Sequence, residues 1–293
     1  MKFGRKIKKI KRNFLYFLKK NLNSKLYNFI VLSLSKKKFL ESKNRKKIIL
    51  KKSDNLDYLN NYEYKISSQN NEDGIIEYLE SNIINPDKLF FEIGFDFNEF
   101  NSLNLIRKNW SGTLIDGDQI KCDKLKACIN KYFNANKVNI YKDFIDFENI
   151  NQKIGRSIDK RNFDFFSLDT DGMDYWILEK LTFKPKIICA EFNPWLGAAS
   201  SLVIPKKLNF NYQSDMYYGA SLNAFKILLN KKGYKLVCIE SSGNNAFFIN
   251  QDEFGIQFQE LEIKKSFKYD PKFSSSIYKE VNKKLLERDW IKV

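Results

Sequence analysis

The sequence predicts an α/β fold: a mostly parallel seven-stranded sheet with an antiparallel pair at one edge and helices on both faces. Three observations carry this. Short apolar runs alternate along the chain with stretches in which apolar residues recur at three- and four-residue steps, which is the pattern of repeated strand-helix units. The runs are apolar at consecutive positions rather than at every second one, as in strands covered on both faces. The last two runs are joined by only Ser241, Ser242, Gly243, Asn244 and Asn245, too few residues for a crossover helix, so they pair antiparallel.

Taken in order, a helix carrying Ile75, Ile76, Tyr78, Leu79 and Ile83 follows the polar stretch 68–74 and stops at Asn85-Pro86. Residues 89–93 form the first strand, and the next helix has Phe97, Phe100, Leu103, Leu105, Ile106 and Trp110 among its apolar positions. Residues 112–116 are a second strand, and a helix with Ile120, Leu125, Cys128 and Ile129 follows. A third strand spans 138–141, a short helix 150–158, a fourth strand 163–169, a helix 173–181 and a fifth strand 187–192. After an insertion at 194–219, a helix at 221–232 closes at Gly233, and the final pair spans 235–240 and 246–249. The chain therefore divides into an N-terminal extension (1–52), an Asn-rich linker (53–71), the sheet domain (72–250) and a tail with a helix over 276–290 (251–293). With 43% apolar residues there is enough to bury a full core.

The charge is concentrated at one end. Residues 1–52 hold 19 Lys and Arg and one acid, Glu41, so the remaining residues carry 32 basic against 34 acidic side chains. A near-neutral body argues against a nucleic-acid groove in the fold itself. Within the extension, Phe3, Ile7, Ile10, Phe14, Phe17 and Leu18 recur at helical spacing among lysines and Arg12, giving one apolar and one cationic face. This composition suits an anionic membrane surface, with the protein lying on the inner face of the membrane; packing of the same helix on its own domain fits equally. No run reaches the roughly 20 residues of a spanning helix, and neither the h-region nor the cleavage site of a signal peptide is present.

The sequence has no His, which removes imidazole bases, Ser-His and Cys-His nucleophiles and His metal sites. The four cysteines form no C-x-x-C pair, and Cys189 and Cys238 sit in apolar runs, as buried thiols do in a reducing, cytoplasmic setting.

In a parallel sheet, ligands bind at the carboxyl ends of the strands. Five successive strand ends here carry acids: Glu92 with Gly94, Asp116-Gly117-Asp118, Asp143, Asp169-Thr170-Asp171-Gly172, and Glu191-Phe192-Asn193. Each alone reads as a cap or turn former, but the five together suggest a site. Gly94 and Asp116 lie 22 residues apart, close to the roughly 20 between a phosphate-turn glycine and an acid that accepts ribose hydroxyls.

The order Glu92-Ile93-Gly94-x-Asp96, Asp116, Asp169-x-Asp171-Gly172 and Glu191, closed by an antiparallel pair, resembles class I S-adenosylmethionine-dependent methyltransferases, whose sheet is Rossmann-like. More narrowly, Ser68-Gln69, Glu72-Asp73-Gly74-Ile75-Ile76, Gly219-Ala220-Ser221-Leu222 and the run 241–248 resemble FkbM-type and related bacterial methyltransferases, many encoded among genes for surface glycans. The resemblance covers about residues 66–250. It implies S-adenosylmethionine as cofactor, with Glu92, Gly94 and Phe95 against its methionine part and Asp116 and Gly117 at the ribose. It further implies Asp143 and Phe144 at the adenine and Asp169 on the methionine amine. Phe95-Asp96-Phe97 replaces the glycine-rich turn of that family, setting a bulky side chain beside the closest backbone approach.

Methyl transfer to a hydroxyl needs positioning, dehydration and a base, and without His the bases are Asp171 and Glu191. An oxygen-only set, Asp169 or Asp171 with Glu191 and Asn193, suits Mg²⁺ as in metal-assisted O-methyltransferases, a reading ranked below metal-free transfer. Aromatic residues of the insertion, Trp195, Phe210, Tyr212, Tyr217 and Tyr218, stack on an acceptor or pack the loop. Three functions follow in order: O-methylation of a glycan or other small-molecule hydroxyl, a catalytically inactive membrane-associated interaction module of the same fold, and a nucleic-acid methyltransferase using the basic arm.

Overall fold

The computed structural model describes residues 58–97, 99–133, 137–159, 162–269 and 273–293, together with 18, 20–23, 26, 27, 30, 48 and 49. Phe3, Ile7, Ile10, Phe14 and Phe17 of the expected amphipathic helix lie outside the described residues. Strands β1 (Leu89–Ile93), β2 (Ser111–Asp116), β3 (Val138–Lys142), β4 (Asn162–Leu168), β5 (Lys184–Glu191), β6 (Lys235–Ile239) and β7 (Asn245–Ile249) form one sheet in the order β3-β2-β1-β4-β5-β7-β6. The first five are parallel. Strand β7 runs antiparallel to both of its neighbours, β5 and β6, so the expected antiparallel pair closes that side of the sheet with β6 outermost.

Alternate residues of one strand serve opposite layers, which is why the runs are continuously apolar. Phe91, Ile93, Phe163 and Phe166 pack under helices α4 (Ile150–Gly155), α5 (Asp174–Lys180) and α6 (Leu222–Lys231) through Ile150, Ile177 and Phe225. Phe90, Leu114, Phe165 and Cys189 face α1 (Glu72–Ser81), α2 (Leu103–Arg107) and α3 (Gln119–Tyr132) through Ile75, Leu79, Leu103 and Leu125. The tail adds α7 (Ile263–Ser266), α8 (Ser275–Leu286) and a strand, Ile291–Lys292, which pairs antiparallel with Leu202–Val203 of the insertion.

The helix after β1 is much shorter than its apolar spacing suggests. Residues 96–99 close on themselves instead, with Asp96 and Glu99 exchanging backbone hydrogen bonds of 3.3 and 3.1 Å. The buried Glu92 carboxylate then accepts the backbone N–H of Asn101 and of Ser102, each at 2.8 Å, and takes up the free amides just before α2. Helical geometry is thus delayed to Leu103 by a side chain nine or more positions earlier.

Part of the N-terminal extension packs on the domain. Leu18, Leu22 and the buried Tyr27 gather around Ile120 at the start of α3, and the Tyr27 hydroxyl donates to Asp123 Oδ2 at 3.1 Å. Among the described residues, no helix is long and apolar enough to cross a membrane.

The stretch before α1, polar in sequence, is fastened by one carboxylate. Buried Asp73 accepts the backbone N–H of Ile66, Ser67 and Ser68 at 2.7, 2.7 and 2.8 Å through Oδ2, and both serine hydroxyls as well. Removing it leaves three amides without their acceptor. Asp73→Ala is therefore expected to lower stability by about 3–5 kcal/mol, read as a shifted urea midpoint, and an unchanged midpoint would show that the stretch holds without it.

Candidate functional site

The sheet order reverses between β1 and β4, and a cleft of about 710 Å³ opens at the carboxyl ends of the strands there. It collects residues from the four strand ends of β1 to β4 and from the insertion, among them Glu92, Gly94, Phe95, Asp116, Gly117, Asp143, Phe144, Asp169, Asp171, Phe210 and Tyr212. Glu191 at the end of β5 joins through its carboxylate, which lies with those of Asp169 and Asp171 in a group whose ligand oxygens are all within 4.8 Å of one another.

Gly94 is the tightest point of the site. Its φ is +75°, in the left-handed region, and a Cβ placed on it would come within 1.6 Å of the Asp169 carbonyl oxygen. Only glycine allows this approach. The turn is closed by Gly94 N–H to Ile115 O at 2.9 Å and Asp169 N–H to Ile93 O at 3.0 Å, so the ends of β2, β1 and β4 are laced together.

Phe95, the residue expected to crowd the cofactor side, turns its ring away. It is buried against Phe100 in the layer beneath α2, with ring centroids 6.1 Å apart. Its backbone N–H donates to Asp116 Oδ2 at 3.2 Å. Asp116 also accepts the Asp118 N–H at 2.6 Å through Oδ1 and the Lys121 ammonium at 3.1 Å through Oδ2. Lys121, two helical positions past Gln119 in α3, was not among the residues singled out by sequence. Burial works against its charge, yet Asp116, with Asp96 and Asp118, holds its pKa above the ordinary lysine value. At the far end, Gly117 leaves room for the Phe144 ring, whose nearest atom would lie 2.7 Å from a Cβ there. That ring is 68% exposed and lies under the Lys142 ammonium at 4.9 Å, and Asp143 beside it is paired with Lys153.

Glu92 is less free than expected for a ligand contact. Its oxygens are committed to Asn101, Ser102 N–H and the Ser102 hydroxyl, so its observed work is to order the lip of the cleft. Burial pushes its pKa up to about 7 against the pull of those donors.

The acid cluster arises from strand register. Leu168 pairs with Ala190, which sets the following residues, Asp169 and Glu191, side by side. Burial raises the pKa of Asp169, and Asp171 and Asp174 add to it; burial and then Asp169 and Asp171 raise that of Glu191 further. Asp171 stands in the left-handed region, φ +54°, on a loop held by Asp174. The first residue of α5, Asp174 is buried and accepts the N–H of Thr170 and of Gly172 at 2.8 and 3.1 Å, a role missed in the sequence.

Carboxylates packed this closely need a proton or a cation between them. The three are oxygen donors of the kind that suit Mg²⁺. Asn193, the fourth expected ligand, is removed from that set: its Nδ2 donates to Met216 O and Tyr218 O, both at 2.9 Å, and its Oδ1 accepts Trp195 N–H at 3.0 Å. Of the aromatic residues in the insertion, Phe210 and Tyr212 line the cleft. Trp195 and Tyr217 instead pack against the tail, on Tyr278 and Trp290, and Tyr218 is buried.

No protein-family model and no curated protein matches the sequence. Among solved structures, the chain is similar to the SAH-bound magnesium protoporphyrin IX methyltransferase ChlM of Synechocystis PCC 6803, with 12% identity over 60% of this chain and 80% of that one and a TM-score of 0.40. It is similar also to TrmK of M. capricolum in complex with S-adenosyl-homocysteine, with 14% identity, coverage of 73% and 87%, and a TM-score of 0.39. The cyclase SpnF shares 11% identity over 57% of this chain, which spans 58% of that protein's length, at a TM-score of 0.37. Likeness of this degree says nothing of substrate or reaction.

The buried acids fix the sign of the pH dependence. A carboxyl whose folded pKa lies above its unfolded value binds more protons in the folded state, so stability falls as pH rises from the unfolded value to the folded one. Glu92, Asp169 and Glu191 are all shifted in this direction. The ligand-free protein is thus expected to melt at a lower temperature at about pH 8 than at about pH 5, and Glu191→Gln to flatten that slope. A melting temperature that climbs across this window contradicts the assignment.

Proposed function

We propose that this chain is an S-adenosylmethionine-dependent methyltransferase that modifies a hydroxyl of a glycan or another small molecule. The observation that carries the reading is the pairing, in one cleft, of a ribose-type acid with a cluster of three close carboxylates, two of them partly buried and one, Asp171, exposed. Asp116 stands one strand from the Gly94 turn, oriented by the Phe95 N–H. Asp169, Asp171 and Glu191 lie together beyond it. A sulfonium cofactor that also bears an ammonium group supplies a reactive methyl group and the positive charge such a cluster favours.

In this reading Asp116 accepts ribose hydroxyls, Gly117 and Phe144 flank the base with Asp143 beside them, and Gly94 brings backbone close to the methionine part. Glu92 keeps the lip ordered and Asp169 accepts from the amine. Glu191 or Asp171 accepts the proton of the acceptor hydroxyl as it attacks; desolvation raises the pKa of both above the ordinary carboxylate value, which makes each a stronger base. Phe210, packed on Gly172, and Tyr212 offer flat apolar faces beside polar Asn209, Asn211 and Ser214, a mixture that suits a sugar ring. No metal is needed for this chemistry, and the carboxylate trio is assigned to the cofactor's charge and to proton transfer.

Isothermal titration with S-adenosylhomocysteine tests the cofactor. Micromolar binding is expected, weakened at least about tenfold by Asp116→Ala, and absence of heat at high micromolar ligand removes the assignment. Methyl transfer to a glycan acceptor, followed by mass, should survive EDTA; loss of activity restored by Mg²⁺ would hand the trio to a metal instead.

The basic extension supports peripheral attachment to an anionic membrane, since its apolar positions recur at helical spacing among lysines and arginines. The chain of residues 1–293 should pellet with anionic liposomes and a form starting near Lys52 should not; equal pelleting ends the idea.

A further inference from the structure

The lone pairs of Asp116 are nearly all in use, and one of their users can move. A carboxylate oxygen offers two acceptor sites. Oδ2 receives the Phe95 N–H at 3.2 Å and the Lys121 ammonium at 3.1 Å, while Oδ1 receives the Asp118 N–H at 2.6 Å. A ribose diol brings two donors and engages both oxygens, but only Oδ1 has a site left. The two backbone donors are fixed, one by the Gly94 turn and the other by Asp118, the N-cap of α3, whose side chain accepts the Ile120 and Lys121 amides. Lys121 is held by nothing comparable: its side chain is 36% exposed on a flexible stem.

We infer that Lys121 is a latch on the ribose acid, its ammonium competing with the cofactor's ribose hydroxyls for Oδ2 of Asp116. The inference rests on the cofactor reading above. Local geometry explains how the lysine comes to be there. Helical side chains tilt toward the N-terminus, so a residue in the first turn of α3 reaches back over the end of β2. The displaced ammonium remains among acids, since Asp96 and Asp118 also favour its charge and it acts in turn on Asp171. The exchange therefore swaps one hydrogen bond for another without stranding a charge. Its consequence is a moderated grip on the nucleoside, which favours release of the spent cofactor.

A partly exposed ion pair such as this, worth up to about 1 kcal/mol, lowers a competitor's affinity by roughly two- to fivefold. Titration of the full chain with adenosine and with S-adenosylhomocysteine separates the ribose contribution from the rest of the cofactor. Lys121→Met is expected to bind both ligands more tightly by the same two- to fivefold, and Lys121→Arg, which keeps the charge, to stay near the wild type. With 2′,3′-dideoxyadenosine, which lacks the ribose diol, the gain from Lys121→Met should vanish. Equal or weaker binding of adenosine by Lys121→Met overturns the latch while leaving the cofactor reading standing, and so does a gain that persists with dideoxyadenosine. A wild-type chain that binds neither adenosine nor S-adenosylhomocysteine overturns both.

Discussion

The contact between Gly94 and the Asp169 carbonyl is the constraint on which the candidate site depends. At the point where the strand order turns back on itself, β1 and β4 leave the sheet in opposite directions, and a ligand cleft opens between them. The two exits are nonetheless in van der Waals contact, because a side chain on Gly94 would occupy the space of the Asp169 oxygen. Bringing the backbones together brings Asp169 to the floor of the cleft. The parallel register of β4 and β5 then leaves Glu191 no other place than beside it. The acid cluster is thus a consequence of backbone packing at one glycine, and its raised pKa values follow from burial that the same packing imposes.

That arrangement carries a cost. Three carboxylates whose oxygens lie within 4.8 Å of one another repel when ionised, and a fold does not keep such a group for stability. Elsewhere the same chain treats its buried acids differently. Asp73 and Asp174 have their oxygens filled by backbone amides, and Asp164 is paired with Lys186 at 3.0 Å. Asp169 and Glu191 instead share a hydrogen bond with each other, and among the described residues Lys121 acts on Asp169 and Asp171 only at a distance. Acids that meet one another rather than backbone amides, at the carboxyl ends of parallel strands, mark a candidate binding site rather than a structural network.

Much of the sheet was legible because period and composition agree there: a run such as Phe163, Asp164, Phe165 and Phe166 can be little else than a strand buried on both faces. The strand-end acids were legible for the same reason, as Glu92, Asp116, Asp143, Asp169 and Glu191 each lie at the end of their strand or directly after it. What resisted reading depends on contacts distant in sequence. The spacing of Phe97, Phe100 and Leu103 suits a helix, but the Asp96–Glu99 bridge and the Glu92 carboxylate start it later. The side chain of Phe95 looked obstructive because the direction of its ring is set by Phe100 and the α2 layer. Lys121 left a usable signal, a lysine one helical turn past an Asp N-cap at a strand end, yet its significance appears only once the lone pairs of Asp116 are counted. Asn193 shows the reverse: a plausible ligand in sequence, it is consumed in holding Met216 and Tyr218.

The wall facing the acids has a different origin from the sheet. The insertion 194–219 has left-handed residues at Asn209, Ser214 and Met216, conformations that persist only where surroundings over-determine them. Three separate stretches supply those surroundings. Asn193 after β5 holds the main chain at Met216 and Tyr218. Phe210 closes on Gly172 after β4. The tail contributes Arg288, which pairs with Asp215 at 3.1 Å and lies over the Tyr217 ring, and Trp290 packed on that same ring. None of these contacts touches the Gly94 turn or Asp116. This wall of the cleft is therefore shaped by a loop and a C-terminal segment that can change together while the strand ends at Gly94 and Asp116 stay as they are. Under the proposed function, choice of acceptor would belong to residues 205–218 of that wall, braced from behind by 286–293, rather than to the strand ends.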